Sequence, residues 1–296
     1  MVAYREYQPS AALAPYIDCY WMHQRTDVSE FSEHLIVPDG TVELIISPVA
    51  IERQYQANGP FHTLKSHIAG LKTQPQRVRL KHPYTLYGIR IKPSGLAMFT
   101  AVPVAQTIDS ALQPEMLFGP RFNTLEQRLF NAPDDATRVL LMEQFLLARL
   151  PESERKHDVV LSVALDAMRQ SGGNARLDSI AQKLRVSCKT VERRFINTLG
   201  IPPKRYFRLY RFVNALKGYH DHRPEKLSDI AYEHGYFDQM HFVREVRAFT
   251  GCAPREYFKS WADPQHSIQA AMFQHDEGVQ QQPQHHKADL LRAIFG

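Results

Sequence analysis

Cysteine is scarce in this chain, three residues in 296 (Cys19, Cys188 and Cys252), and no two stand in a C-x-x-C pair. Cysteines so far apart argue against a disulfide scaffold or a cysteine-based zinc site, and for a reducing compartment. Long apolar runs are missing as well. None approaches the roughly 18 residues that would span a bilayer. The first residues, Met1-Val2-Ala3-Tyr4-Arg5-Glu6, lack the charged-then-apolar layout of a secretory signal. The expected location is therefore the cytoplasm, with no membrane partner. Catalytic signatures are absent too: there is no G-x-S-x-G, no G-x-x-x-x-G-K-[ST] and no G-x-G-x-x-G. Fourteen histidines form no H-E-x-x-H motif and no Cys/His cluster, and His285-His286 is read as a fortuitous pair in a tail. These absences predict no metal, no cofactor and no catalytic residues.

What is present is an uneven charge. The whole chain carries 36 Lys+Arg against 31 Asp+Glu, a formal +5 that says little alone. Residues 176–260 hold 17 basic and 9 acidic residues, which is +8, leaving 19 and 22, or −3, elsewhere. A basic segment beside a mildly acidic remainder is the electrostatic footprint of a polyanion-binding surface. A solvated basic face is the plainer alternative.

The punctuation divides the chain into an α+β order, a β-rich N-terminal α+β domain followed by an all-α domain. His34-Leu35-Ile36-Val37 and Thr41-Val42-Glu43-Leu44-Ile45-Ile46 flank Pro38-Asp39-Gly40, which predicts a hairpin. Residues 77–80 and 85–91 read as further strands, and Leu96, Met98 and Phe99 open a short helix. Residues 121–131 and 135–150 have helical spacing, the second bounded by Pro133 and Pro151. Nearly everything from 158 to 262 reads as helix. Residues 263–286 are rich in Gln and His and predict a mobile tail, followed by a short amphipathic stretch with Leu290, Leu291, Ile294 and Phe295. The expected units are residues 1–152, 153–262 and 263–296.

The basic segment repeats itself. Ile180-Ala181 recurs as Ile230-Ala231, fifty residues on. Beyond the next turn the offset is 51, matching Val191 to Phe242, Arg193 to Arg244, Phe195 to Val246 and Gly200 to Gly251. Pro203-Lys204-Arg205-Tyr206-Phe207 likewise matches Pro254-Arg255-Glu256-Tyr257-Phe258. One residue has been inserted at the inter-helix turn. Two copies are too few for a solenoid and suggest a duplicated helix-turn-helix, over about 177–198 and 228–249. In each copy a first helix (capped by Asp178, then Ser228) carries Ile-Ala, a turn follows at Arg185-Val186 or Gly235-Tyr236, and a second helix starts at Ser187 or Asp238. Ser187 is a favourable N-cap, since its hydroxyl can accept a free first-turn N–H. Gly235 falls where a positive φ is needed, and Gly200 and Gly251 would end the second helices. Arg208, Leu209, Arg211, Phe212, Ala215 and Leu216 make a basic amphipathic linker helix over about 204–220.

This duplicated pattern, with Ile230-Ala231, Gly235-Tyr236, Asp238-Gln239, Phe242-Val243-Arg244 and Gly251-Cys252-Ala253-Pro254 in the second copy, resembles the AraC/XylS family of bacterial transcription regulators over about residues 160–260. Val246 at a usual Phe position and Arg185 at a usual Gly are departures, read as repacking and turn strain. The N-terminal segments Pro15-Tyr16-Ile17-Asp18-Cys19-Tyr20-Trp21, Pro38-Asp39-Gly40, Gly88-Ile89-Arg90-Ile91-Lys92-Pro93 and Phe118-Gly119 resemble a domain found on many AraC-type regulators, whose ligand is not generally established. The resemblance implies a sequence-specific regulator that binds double-stranded DNA at the nucleoid. It also implies a dimer, a small-molecule effector and RNA polymerase as expected partners, and it leaves open whether the regulator is an activator or a repressor.

In a helix-turn-helix the N-terminal half of the second helix faces base edges. Lys189, Glu192 and Arg193, and in the second copy Gln239, Met240, His241 and Arg244, are the candidate base contacts. Arg can bond guanine twice, Gln adenine, Glu cytosine, and Met can touch a thymine methyl. Ser187, Arg194, Lys204, Arg205, Arg208, Arg211, Arg247 and Arg255 are candidate phosphate contacts. Tyr16, Tyr20, Trp21, Phe61, Tyr84 and Tyr87 are candidates to line an effector pocket, against plain core packing. Leu140, Met142, Phe145 and Leu146 could form a dimer seam, against docking on the sheet. Two other classes stay open: an architectural DNA binder with weak sequence preference, and a DNA-repair enzyme bearing an AraC-like module. The latter would need cysteine chemistry that a single N-terminal Cys19 and no four-cysteine site do not favour.

Overall fold

The computed structural model describes residues 2–26, 31–81, 83–150, 158–222 and 226–261. Residues 151–157, with Pro151, and the whole tail from 262 lie outside them, so the mobile-tail and terminal-amphipath expectations fall outside the described residues.

Among the described residues ten strands occupy the N-terminal part: β1 (Val2–Tyr7), β2 (Ile17–Arg25), β3 (Phe31–Ile36), β4 (Val42–Ile46), β5 (Ile51–Gln54), β6 (His62–Leu64), β7 (His67–Ala69), β8 (Gln76–Lys81), β9 (Tyr84–Ile91) and β10 (Ala111–Leu112). They form two antiparallel sheets, one ordered β1-β2-β9-β4-β7-β10 and the other β3-β8-β5-β6. Four short helices accompany them: α1 (Leu96–Phe99), α2 (Pro114–Phe118), α3 (Arg121–Phe130) and α4 (Asp135–Leu147). The larger sheet is covered on both faces, and β4 is buried throughout. Leu44 and Ile46 point to the helical side, where Tyr20, Met22 and Ile89 also pack. Ile45 points the other way, into a second core shared with Ile51, Val78 and Leu80 of the smaller sheet. In β8 burial alternates, with Gln76, Val78 and Leu80 in and Arg77 and Lys81 out, as a sheet with one solvated face requires.

The expected hairpin at Pro38-Asp39-Gly40 does not form. β3 pairs with β8, and β4 pairs with β7 and β9 in the other sheet. The turn is a crossover between sheets. Its reason is tertiary: Val37 is buried in the core of the C-terminal helices, and Leu35 packs against it. The chain leaves one sheet to make that contact and returns in the other. Asp39 shapes the return, its Oδ1 accepting both the amide and the hydroxyl of Thr41 at 2.9 Å, and Gly40 takes φ 78°.

The expected seam along α4 is overturned in part. Met142 and Leu146 are wholly buried in the chain's own core, and Phe145 packs edge-on against Phe118 and Phe122. These side chains dock on the domain and are not free to face a second copy.

The C-terminal part is helical: α5 (Val159–Gln170), α6 (Leu177–Lys183), α7 (Cys188–Leu199), α8 (Pro203–His222), α9 (Leu227–Glu233), α10 (Gln239–Thr250) and α11 (Pro254–Trp261). The fold is thus α+β, with β-rich and helical regions in that order. One cluster of buried side chains runs from the N-terminal sheets through α5 into α6 and α7 and ends at Tyr206 and Phe207 of α8. A second joins α8 to α9, α10 and α11.

Candidate nucleic-acid interface

Each half of the C-terminal region is a helix-turn-helix built by the same local chemistry. In the first, α6 buries Ile180 and Ala181, and the chain leaves it through Arg185 at φ 54°. The amide of Val186 donates back to the Ala181 carbonyl at 3.0 Å. In the second, Ile230 and Ala231 are buried, Gly235 takes φ 73°, and the amide of Tyr236 donates to the Ala231 carbonyl at 2.8 Å. The left-handed residue followed by that long-reaching bond closes a helix C-terminus. Glycine enters this region freely, whereas arginine is strained there.

The second helix of each pair is capped. Ser187 Oγ accepts the Thr190 amide at 3.2 Å, and Asp238 Oδ1 accepts the His241 amide at 2.6 Å. The caps expected on the first helices are not found. Arg176 and Lys226 hold the cap positions of α6 and α9 without side-chain caps. Asp178 sits inside the first turn of α6, where Arg176 donates to it and holds its carboxyl below the usual range. Ser228 likewise lies in the first turn of α9 and donates to Asp229. These helices start earlier than the polar residues suggested, and an acid in the first turn still favours the helix dipole.

α7 buries Val191, Phe195 and Leu199, and α10 buries Phe242, Val246 and Phe249. Spacings of three and four place each set on one face. The opposite faces carry the sequence candidates. Lys189, Arg193 and Arg194 are exposed on α7, with Glu192 half-buried, and Gln239, Met240, Arg244 and Arg247 are exposed on α10. Gly200 and Gly251 end the helices at φ 75° and 77°.

Other candidates are engaged within the chain. Arg208 Nε donates to both oxygens of Glu245, at 2.8 and 2.7 Å. Arg211 Nη1 donates to the Gly235 carbonyl at 3.3 Å, and its guanidinium lies 5.5 Å from the Tyr236 ring centre. These two arginines tie α8 to the second module. His241 is half-buried, its ring edge-on to Tyr236 at 5.2 Å and its Nδ1 3.4 Å from the Phe237 amide. Lys204, Arg205 and Arg255 are exposed. Arg255 lines a groove with Lys226, Lys259, Ser228 and Gln239.

The sequence reading missed Phe237. It is the inserted residue, because Tyr236 still matches Val186 at an offset of 50 and Asp238 matches Ser187 at 51. It stands 85% exposed, beside Met240 at 61%. The signal was there in the register shift, which marks where the second turn bulges outward. The expectation that the histidines form no H-x-H pair is also wrong, since His220-Asp221-His222 at the end of α8 is one. Among the described residues no three His, Cys, Asp or Glu gather as a metal site.

Of the six effector-pocket candidates, two line openings. Tyr16 borders a cleft of about 840 Å³ between the N-terminal domain and α5 and α8, with Asp18, Arg90, Lys92, Arg169 and Lys217 around it. Trp21 borders a smaller cavity between the two sheets. Tyr20 and Tyr87 are packed in the helical-side core, Tyr84 in the inter-sheet core against His23, and Phe61 lies under Arg79. Plain core packing accounts for Tyr20, Tyr84 and Tyr87. Burial pushes the Tyr20 hydroxyl well above its ordinary value.

Two helix-turn-helix modules joined by one continuous helix define a class of DNA-binding domain. The comparisons agree. Residues 180–260 match a helix-turn-helix domain model, and residues 5–113 match a domain of unknown function, DUF6597. The chain is 33% identical over 79 residues to the HTH-type transcriptional activator RhaS of Citrobacter koseri, covering 27% of this chain and 28% of that protein. It is 26% identical over 132 residues to RhaS of Escherichia coli, covering 42% and 46%. The chain therefore spans less than half the length of these relatives. Among solved structures, ToxT of Vibrio cholerae aligns over 81% of this chain and 97% of its own, at 12% identity and a TM-score of 0.46. Its C-terminal part is thus similar to the helix-turn-helix domain of these transcriptional activators. No helix among the described residues is long and apolar enough to cross a membrane.

Proposed function

We propose that the protein is a sequence-specific transcriptional regulator that sets α7 and α10 into successive major grooves on one face of a duplex. The observation that carries this reading is the duplication itself. Each copy buries one helix face in a core and leaves a basic face exposed, and α8 fixes the two copies on one scaffold. Major grooves recur about every 34 Å along one face, so two linked recognition helices can read a site from one chain.

Lys189, Glu192 and Arg193, with Gln239, Met240 and Arg244, are the base-reading set, and the exposed Phe237 joins them as an apolar contact to sugar or a thymine methyl. Arg194, Lys204, Arg205, Arg247 and Arg255 supply phosphate contacts, with Ser187 at the helix start. Arg208 and Arg211 act by holding the second module on α8, and His241 by steadying its turn. The N-terminal domain senses a small effector. RNA polymerase and a second copy of the chain are partners of the same proposal, the copy joining through a surface other than the buried α4 face. The protein acts in the cytoplasm and without catalysis of its own.

Selection of bound sequences from a random duplex pool tests this. An enriched motif with two conserved blocks about one helical turn apart is the expected result. Recovery of unenriched sequence would instead favour an architectural DNA binder.

A further inference from the structure

The two recognition helices begin with different chemistry. α7 and α10 match at an offset of 51, so Lys189 corresponds to Met240 and Arg193 to Arg244. Residues four apart share a helix face. That face carries Lys189 with Arg193 on α7, and Met240 with Arg244 on α10. The turn before α10 adds Phe237, which has no counterpart in the first copy. Phe237 is the most exposed of the large apolar side chains among the described residues, with Met240 beside it on the first turn of α10. Neither is needed to build the module. The core behind them is made by Tyr236, Phe242 and Val246, and the Asp238 carboxylate caps α10 through the His241 amide.

The flank of this apolar patch indicates what covers it. Gln239, the residue before Met240, borders a groove of about 540 Å³ together with Lys226, Arg255 and Lys259. None of these three cations forms an ion pair among the described residues. Lys226 corresponds to Arg176 and Lys259 to Arg208. In the first copy both positions are neutralised, Arg176 by Asp178 at 2.8 Å and Arg208 by Glu245 at 2.7 Å. Free cations beside the start of α10 favour a polyanion there. A backbone phosphate in the groove would hold the start of α10, and with it Phe237 and Met240, against base edges.

The chemistry of the patch then selects what it reads. In the major groove thymine shows the O4 acceptor and a C5 methyl, whereas cytosine shows the N4 donor and no methyl. A phenyl ring has no hydrogen-bonding group, and a thioether is only a weak acceptor. Such side chains sense the methyl and are blind to the O4 or N4 beside it. 5-Methylcytosine presents the same methyl as thymine. Lys189, by contrast, finds its acceptors on guanine, and a pyrimidine methyl offers it nothing.

We propose that the second module reads the C5 methyl of a pyrimidine through Phe237 and Met240, taking the methyl of 5-methylcytosine as it takes that of thymine, so that cytosine methylation in the second block of a site raises affinity. The first module, led by Lys189 and Arg193, is indifferent to methyl groups. This inference rests on the two-groove reading above, and its test separates from it.

The test measures anisotropy of the full chain on a duplex selected from the random pool. Each thymine is replaced in turn by deoxyuridine, which pairs identically and lacks the methyl. At the positions that respond, a C·G pair is then compared with and without the C5 methyl. Deoxyuridine should weaken binding about three- to fivefold at one or two positions of the second block, the worth of one buried methyl. 5-Methylcytosine should exceed cytosine there by a similar factor. Both effects should be absent from the first block and lost in the double variant Phe237→Ser, Met240→Ser. If that variant does not fold, Met240→Lys, which copies the first module, replaces it and should at least halve the methyl effect. A second block without thymine, indifference to deoxyuridine, equal effects in both blocks, or a methyl effect intact in the variants overturns the proposal. Absence of any enriched motif fails the regulator reading itself. Sequence-specific binding that ignores methyl groups removes only this inference.

Discussion

The two helix-turn-helix modules share a plan but are held in different ways. The first has its core continuous with the N-terminal domain, and the end of α7 rests on the 3-10 turn at Val104–Thr107, where Gly200 approaches Ala105 and Ile108. The second has a core of its own with α8 and α11, to which the N-terminal domain contributes Val37 at the crossover turn and Leu35 beside it. A Cβ added at its helix end, Gly251, would meet only Pro75, at 3.8 Å. Duplication thus copied a binding unit, and tertiary packing then distinguished them. One module shares its core with the N-terminal domain, and the other packs chiefly on α8.

The sharpest way to break this contrast is to place the same substitution at both helix ends. A Cβ at Gly200 would fall 2.7 Å from the Ala105 Cα, while one at Gly251 meets only van der Waals contact. Both need a positive φ. Gly200→Ala should cost about 2–4 kcal/mol, from strain plus overpacking. Gly251→Ala should cost about 1 kcal/mol. Urea melts of the two variants check this, and equal losses would mean the first module is no more tightly docked than the second.

Acid should divide the molecule along the same line. His67 is buried in the larger sheet, donating through Nδ1 to the Lys65 carbonyl as a neutral ring, and burial with the nearby Arg53 charge lowers its pKa to about 3. The unfolded chain takes up that proton below about 6.5. Stability from this group is therefore full above pH 6.5 and declines as pH falls toward 3. At pH 5 the loss is about 2 kcal/mol. The N-terminal domain and first module should lose hydrogen-exchange protection together as pH falls, ahead of α9 and α10, and His67→Gln should flatten the decline.

A smaller effect compares the two inter-helix turns. Arg185→Gly should stabilise by about 0.5–1 kcal/mol by relieving the left-handed arginine. Gly235→Ala should destabilise by about 1–2 kcal/mol, from the positive φ and from a Cβ that would fall 2.5 Å from the Asn174 side chain. Thermal melts of the pair check the signs.

Much of the helix-turn-helix geometry could be read from sequence, because helix periodicity, caps and glycine ends are local. Ile180-Ala181 and its copy, Ser187, Asp238, Gly200 and Gly251 all stand where the pattern put them. What could not be read was set by partners distant in the chain. The Pro38-Asp39-Gly40 turn looks like a hairpin until Val37 finds α8. Arg208 and Arg211 look like phosphate contacts until Glu245 and the Gly235 carbonyl engage them. Met142 and Leu146 look like a seam until the sheet covers them.

The central claim is that one chain reads two major grooves through matched arginines, and base-substitution scanning of a selected duplex tests it most directly. Arg193→Ala and Arg244→Ala should each abolish discrimination in a different block of the site, by about 1–3 kcal/mol per contacted base pair. Lys204→Ala should weaken every sequence alike and lower the salt slope by about 1. If both arginine variants relax the same block, or if all three variants lose affinity equally on every sequence, the two-groove account is wrong.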